Sequence, residues 1–344
     1  MLTGEYAVLR GAPALVMAVN RYATCHCSID AAAPVTQQGK PPGPDKNQAG
    51  WHFTSQGFAA TSHHTLAQLA QPERLANDDP ARLCAYLVNA YRAHMAAVNL
   101  DLPSSVHLEL NSAQMYHEGA KLGLGSSAAL TVAMLGIVQQ LAQGAEIGNE
   151  LAFEIAHSAH RASQGGVGSG LDIATSLNGG VVRFQNGHSE AIDWPESLGF
   201  LFVYAGVPAS TTDLVSRFDR WHKNGTPKTL QALKLAASEL ADDRINIDNL
   251  QRYTTALKTL DRVANIGIFS AEHLWVAQLA ERLGVVYKPC GAGGGDLGIA
   301  ISDEPSRLAR FAAELRDQTA TDPALNNRLS IIDLEPVPHG LTNG

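Results

Sequence analysis

The chain has 344 residues, enough for two domains of ordinary size or one large one. Apolar residues make up 45% and charged residues 17%, so sizeable cores can form and a disordered or fibrous chain is excluded. With 33 acidic and 25 basic side chains the formal charge is −8, which argues against a nucleic-acid binder working by broad phosphate neutralisation but leaves room for a local cationic pocket.

In chain order, the apolar stretch Ala14 to Val19 follows Glu5 and is too short and badly placed for a signal peptide. No apolar run reaches 18 residues, so a cytoplasmic protein with no membrane partner is expected. Cys25-His26-Cys27 reads as an extended segment with both thiols on one side and the imidazole on the other. Together with Cys84 and Cys290 it forms neither a zinc spacing nor a disulfide framework, which fits a reducing compartment. Residues 34–50 hold four prolines and three glycines and read as a surface loop. His63, His64, Asp78 and Asp79 read as solvent-facing, and the scattered Trp51, Trp194, Trp221 and Trp275 as packing residues.

Val106 to Leu110 alternates apolar with polar and predicts a half-buried strand; Val181 to Phe184, Phe200 to Tyr204 and Leu297 to Ile301 are apolar runs of strand length. Ala128 to Ala142, apolar nearly all round, predicts a buried helix. Thr226-Pro227 opens a second helix carrying Leu230, Leu233 and Leu240, and Ser270 opens a third running towards Leu283. Interleaved strands and helices without internal repeats predict an α/β or α+β fold, with a boundary near Asp193-Trp194-Pro195.

Three glycine-rich segments carry the chemistry. Lys121-Leu-Gly-Leu-Gly-Ser-Ser-Ala-Ala129 runs into the predicted helix, where missing Cβ atoms admit an anion to unpaired N–H groups at the positive end of the dipole. Ser126 and Ser127 add hydroxyls for phosphate oxygen or magnesium, and Lys121 adds charge; a plain helix cap is the alternative. The segment is no P-loop, dinucleotide fingerprint or esterase elbow. Gln164-Gly-Gly-Val-Gly-Ser-Gly-Leu-Asp172 leads into a carboxylate that can orient or deprotonate an acceptor, or cap a helix. Lys288-Pro-Cys-Gly-Ala-Gly-Gly-Gly-Asp-Leu-Gly298 lies between two predicted strands and reads as an anion-binding nest or a structural turn. Three anion-friendly loops in one acidic chain suggest a nucleotide triphosphate.

These segments, with Leu2-Thr-Gly-Glu-Tyr-Ala-Val-Leu9, resemble the ordered motifs of the GHMP kinase superfamily, and within it look most like phosphomevalonate kinases. The resemblance implies an α+β fold, with a ribosomal protein S5 domain 2-like α/β domain over 1–195 and a ferredoxin-like α+β domain over 196–344. It implies ATP and Mg2+ as cofactors, with Lys121, Gly123, Leu124, Gly125, Ser126, Ser127 and Ala128 at the nucleotide. Ser127 would ligate the metal and Asp172 would act as the catalytic base or orienting group. Arg161, Ser169, Gly170, Lys288, Gly293 and Gly294 would hold the acceptor. His160 stands where mevalonate kinases carry a metal-binding glutamate, as it does in phosphomevalonate kinases, and Gly166 stands where the latter carry lysine. The implied acceptor is small and anionic, 5-phosphomevalonate first, with mevalonate or a sugar as alternatives. A nucleotide-binding regulator without catalysis is the reading from another class. No nucleic-acid partner is expected, and a homodimer is left open.

Overall fold

A hydrophobic strand at the very start of the chain needs a partner, and it finds one more than 160 residues downstream. In the computed structural model, which describes residues 1–29, 49–56, 60–95, 101–142, 147–206, 210–224, 227–242, 244–322, 325 and 328–342, the first elements are strands. They are β1 (Ala14–Met17), β2 (Thr24–Ser28), β3 (Trp51–Gln56) and β4 (Ala60–His64). A single turn α1 (Leu66–Leu69) and helix α2 (Ala81–His94) lead to β5 (Val106–Asn111) and the short hairpin β6 (Tyr116–His117) and β7 (Ala120–Lys121). Then come α3 (Ser126–Leu141), α4 (Asn149–Ser163), α5 (Leu171–Asn178), β8 (Val181–Gln185), β9 (His188–Ile192) and β10 (Gly199–Tyr204). Four helices follow: α6 (Thr211–Asn224), α7 (Pro227–Ala241), α8 (Ile247–Ala264) and α9 (Ala271–Arg282). The last elements are β11 (Val286–Pro289), β12 (Leu297–Ser302), α10 (Pro305–Thr321) and β13 (Ser330–Ile332).

The chain gathers into two units, each discontinuous in sequence. The first comprises residues 1–21, 115–124 and 178–340; the second comprises 22–114, 125–177 and the residues from 341. The expected division at 195/196 falls inside the first unit. The reason is β1, which pairs antiparallel with β8 (Ala14 opposite Phe184) and so carries the N-terminus into the C-terminal part.

In the first unit a four-stranded antiparallel sheet has the order β11-β12-β10-β13. Every residue of β12 is buried, because its two faces serve two cores. Leu297, Ile299 and Ile301 join one with Leu257 and Leu260 of α8, while Ala300 joins the other with Val276 of α9 and Phe311 of α10. That explains why the run is apolar without alternation. The second unit has a sheet of order β2-β5-β3-β4, with β3 and β5 parallel. Val106, Leu108 and Leu110 of β5 face a core of Trp51, Phe53, Tyr91 and the apolar α3, while His107, Glu109 and Asn111 stay half-exposed.

The expected helices and strands are all present, and Ser270 caps α9 by accepting the His273 amide. Thr226 and most of the 34–50 segment lie outside the described residues. His64 and Asp79, expected to face solvent, instead pair at 2.8 Å with side chains only 15% and 13% exposed. No described helix is long and apolar enough to cross a membrane.

His273, fully buried in α9, has Nδ1 2.7 Å from the Tyr287 hydroxyl, and burial pushes its imidazole down to about 4. The unfolded chain, with an ordinary imidazole near 6.5, takes up a proton that the folded chain refuses. The contribution to stability is therefore complete above that value and falls as pH drops towards 4, by about 3 kcal/mol over the window. Denaturant titrations across this range are expected to show the native protein losing about 3 kcal/mol more than a His273→Asn variant; parallel losses would contradict the assignment.

Candidate active site

Helix α3 begins at Gly125, which adopts a left-handed conformation (φ 75°, ψ 36°), and no side chain caps its first amides. A Cβ at Gly125 would lie 3.3 Å from the carboxyl carbon of Asp172, so the bare backbone is what lets that carboxylate approach. Asp172 is exposed and sits in the first turn of α5, inside the helix and not at its cap position. One residue on from the start of α3, the Ser127 hydroxyl lies 2.9 Å from His160 Nε2 on α4. Burial holds the His160 imidazole below its ordinary range, opposed by the charge of Asp172 and aided by His157. In the second unit, therefore, Gly125, Ser127, His160 and Asp172 come together, with Ser126 and Ala128 in the same helical turn.

The glycine loop leading to Asp172 is held by its own preceding helix. Arg161 Nε donates to the Gly166 carbonyl at 2.8 Å, and the Gly166 amide donates back to the Arg161 carbonyl at 2.8 Å. One turn earlier, His157 hydrogen-bonds the backbone of Gly168 and stacks on Phe153 at a centroid distance of 5.3 Å. Gly170 (φ 87°) is buried under these rings; a Cβ there would meet His157 at 2.9 Å and Phe153 at 3.0 Å. Ser169 Oγ accepts the Leu171 amide at 3.4 Å. Arg161, Ser169 and Gly170, expected at the acceptor, are thus engaged in shaping the loop that carries Asp172.

The first unit holds Lys121 to Leu124 of the first segment and the whole of the third. A Cβ on Gly123 would lie 2.6 Å from an Asp296 carboxylate oxygen, so the space read from sequence as room for an anion is filled by the aspartate of the third segment. Lys121 is exposed on β7 and Leu124 half-buried. Lys288, expected to hold the acceptor, is instead fully buried: its Nζ lies 2.6 Å from Glu5 Oε1 and 2.8 Å from the Pro289 carbonyl. The Tyr253 hydroxyl of α8 accepts the Gly4 and Glu5 amides at 2.7 and 2.9 Å and donates to the second Glu5 oxygen. Gly293 and Gly294 likewise depart from the anion nest. Gly293 donates to the Cys290 carbonyl at 3.3 Å, and Gly294 to that of Ile268 at 2.8 Å. A Cβ at Gly293 would meet the Ile268 oxygen at 2.4 Å. Asp261 fixes that neighbour by accepting the amides of Gly267, Ile268 and Phe269 at 2.7 to 2.9 Å.

Glu5 and Asp296 stand within motifs but carry no role that the residues alone assign; an acidic residue inside an apolar opening segment is the available signal. Tyr253 and Asp261 lie on α8 outside any motif and left no signal. Among the described residues no group of three or more His, Cys, Asp or Glu could hold a metal ion. A cation here would rely on a few hard oxygens plus ligand phosphates, which is how Mg2+ is commonly bound.

Comparison with known proteins bears on family and fold. The profile of the GHMP kinases N terminal domain matches residues 84–180. Phosphomevalonate kinase of Streptomyces sp. (strain CL190) is 29% identical over 345 aligned residues, covering 89% of this chain and 88% of that protein. Mevalonate kinase of Thermococcus onnurineus is 30% identical over 198, covering 53% of this chain and 56% of its own length. The crystal structure of Streptococcus pneumoniae phosphomevalonate kinase, in complex with phosphomevalonate and AMPPNP, superposes with a TM-score of 0.72 at 18% identity, covering 98% of this chain and 97% of that one. At that identity the likeness shows the fold, which is the α+β GHMP kinase fold.

Removing one partner of a buried ion pair leaves the other charge uncompensated. Urea denaturation of Lys288→Met is expected to show a loss of about 3–5 kcal/mol, partly recovered when Glu5→Gln is added. A loss below about 1 kcal/mol would contradict the buried pair.

Proposed function

We propose that this chain, which belongs to the GHMP kinases and is an ATP-dependent kinase, transfers the γ-phosphoryl group of ATP to the phosphate of 5-phosphomevalonate, giving 5-diphosphomevalonate and ADP. The observation that carries the reading is Asp172 lying against the open first turn of α3 in the second unit. A helix start without a side-chain cap offers amides to phosphate oxygens, and a carboxylate beside it can orient an acceptor. The choice of acceptor rests on the Streptomyces relative, which is similar over most of both chains. The mevalonate kinases align over little more than half of this chain, so mevalonate is the second reading.

The residues present fit the cofactors. The amides of Ser126, Ser127 and Ala128 would hold phosphate oxygens, with Gly125 leaving the approach open. Lys121, Gly123 and Leu124 are assigned to the nucleotide by the resemblance alone. Asp172 and a polyphosphate are both anionic, so bringing them together requires a cation, and the Ser127 and Asp172 oxygens are hard donors suited to Mg2+. When bound, Mg2+ would offset charge on the phosphates. The acceptor phosphate is already ionised at neutral pH, so Asp172 would orient the attacking oxygen more than remove a proton from it. Arg161 and His157 would keep the Gly165–Gly170 backbone fixed, so that Asp172 is presented in one position. In such transfer positioning and charge stabilisation supply most of the rate. Catalysis in the cytoplasm, by one subunit or a homodimer, is the setting we propose.

The test is ADP release from ATP and Mg2+ with 5-phosphomevalonate, mevalonate and sugar phosphates in parallel. Turnover is expected with 5-phosphomevalonate alone; turnover with mevalonate alone would replace the acceptor, and none with any would favour a regulator. Asp172→Asn is expected to lower kcat by about 100-fold or more and leave ATP affinity within about twofold; an unchanged kcat would remove Asp172 from the chemistry.

A further inference from the structure

We propose that His160 is a positioning residue that accepts a hydrogen bond from the Ser127 hydroxyl, so that Ser127 presents only lone pairs and binds the nucleotide's divalent cation instead of donating to a phosphate oxygen. The proposal rests on the kinase reading above and decides a point that composition and spacing leave open, namely which of two partners the serine takes.

The argument starts from one hydrogen bond. Ser127 Oγ and His160 Nε2 are 2.9 Å apart, and a neutral imidazole has one N–H and one lone-pair nitrogen. If Nε2 carries the hydrogen, Ser127 accepts from it and its own hydrogen stays free to donate to a phosphate. If Nε2 is bare, Ser127 donates to it, and both oxygen lone pairs remain for a cation.

The position of Ser127 in the second unit favours the bare nitrogen. Ser127 is in the first turn of α3, where uncapped amides and the helix dipole make the surroundings positive. An N–H aimed at that end is opposed by the field, and a lone pair is favoured, which also keeps a nearby imidazole neutral. The Asp172 carboxylate acts on the His160 ring in the opposite direction, favouring a proton on it. The Ser127 carbonyl already accepts the Thr131 hydroxyl at 2.8 Å, which fixes the helical turn and leaves the side chain as the variable part.

The consequence is a division of labour: amides of the α3 start meet phosphate oxygens, and the serine oxygen meets metal. A neutral ligand oriented by a neighbouring acceptor is a common arrangement around metal sites, where loss of the orienting group typically weakens metal binding by about 10- to 100-fold.

Two measurements test it. In metal-free, nucleotide-free protein at mildly alkaline pH, the 15N chemical shift of His160 Nε2 is expected to be that of an unprotonated, pyridine-type ring nitrogen. A pyrrole-type shift would overturn the proposal whatever the enzyme does. Second, Mn2+ affinity is read by electron paramagnetic resonance with a non-hydrolysable ATP analogue present. His160→Phe is expected to weaken Mn2+ binding by about 10-fold or more while analogue affinity without metal stays within about twofold. His160→Gln, whose amide oxygen can accept the same hydrogen bond, is expected to recover most of the Mn2+ affinity. Unchanged Mn2+ affinity in His160→Phe, or an equal loss of metal-free analogue binding, would overturn the proposal. Failure of the native protein to bind the analogue at all would instead overturn the kinase reading, leaving the nitrogen shift to report the tautomer.

Discussion

A helix that starts on a left-handed glycine has no side chain at its cap position to take up its first amides, and this one feature of Gly125 supports the rest of the chemistry. Its φ of 75° is open to glycine and costly for residues with a Cβ, and the same missing atom admits the Asp172 carboxylate. Any other residue there would strain the turn and press on the aspartate together. Around that point α4 supplies two kinds of support. His160 reaches the Ser127 hydroxyl, and His157 with Arg161 holds the glycine loop from which Asp172 emerges.

The first unit is organised by a different constraint. Glu5 and Lys288, 283 residues apart, meet in full burial, and Tyr253 hydrogen-bonds the second carboxylate oxygen and the Gly4 and Glu5 amides. Burial of two charges is costly and is tolerated where geometry and extra hydrogen bonds are good. Here the arrangement ties the opening segment of the chain to the third glycine segment. Tyr6 adds a second tie by donating its hydroxyl to the Ala292 carbonyl at 2.6 Å. The glycines of that segment serve close backbone packing on Ile268, which is why their amides face the protein's own carbonyls.

Much of this was legible in the residues alone. The apolar α3, the alternation of β5 and the capped α9 follow from local periodicity and capping, and the motif order pointed to the GHMP kinase fold and to Asp172 near a helix start. What local reading missed depends on long-range partners. Lys288 beside a glycine loop looks like a ligand-facing cation until Glu5 is brought to it. Gly123 looks like anion space until Asp296 fills it. His64 and Asp79 look solvated because nothing in sequence announces that they pair. The division into units is set by the same kind of partner, since the pairing of β1 with β8 is invisible to periodicity.

The central claim is that ATP phosphates meet the backbone at the start of α3, and amide hydrogen exchange resolved by residue tests it most directly. Adding Mg2+ and a non-hydrolysable ATP analogue should slow exchange at Gly125, Ser126, Ser127 and Ala128 more than elsewhere in the second unit. Saturating nucleotide binding that leaves those four amides unchanged would contradict the account.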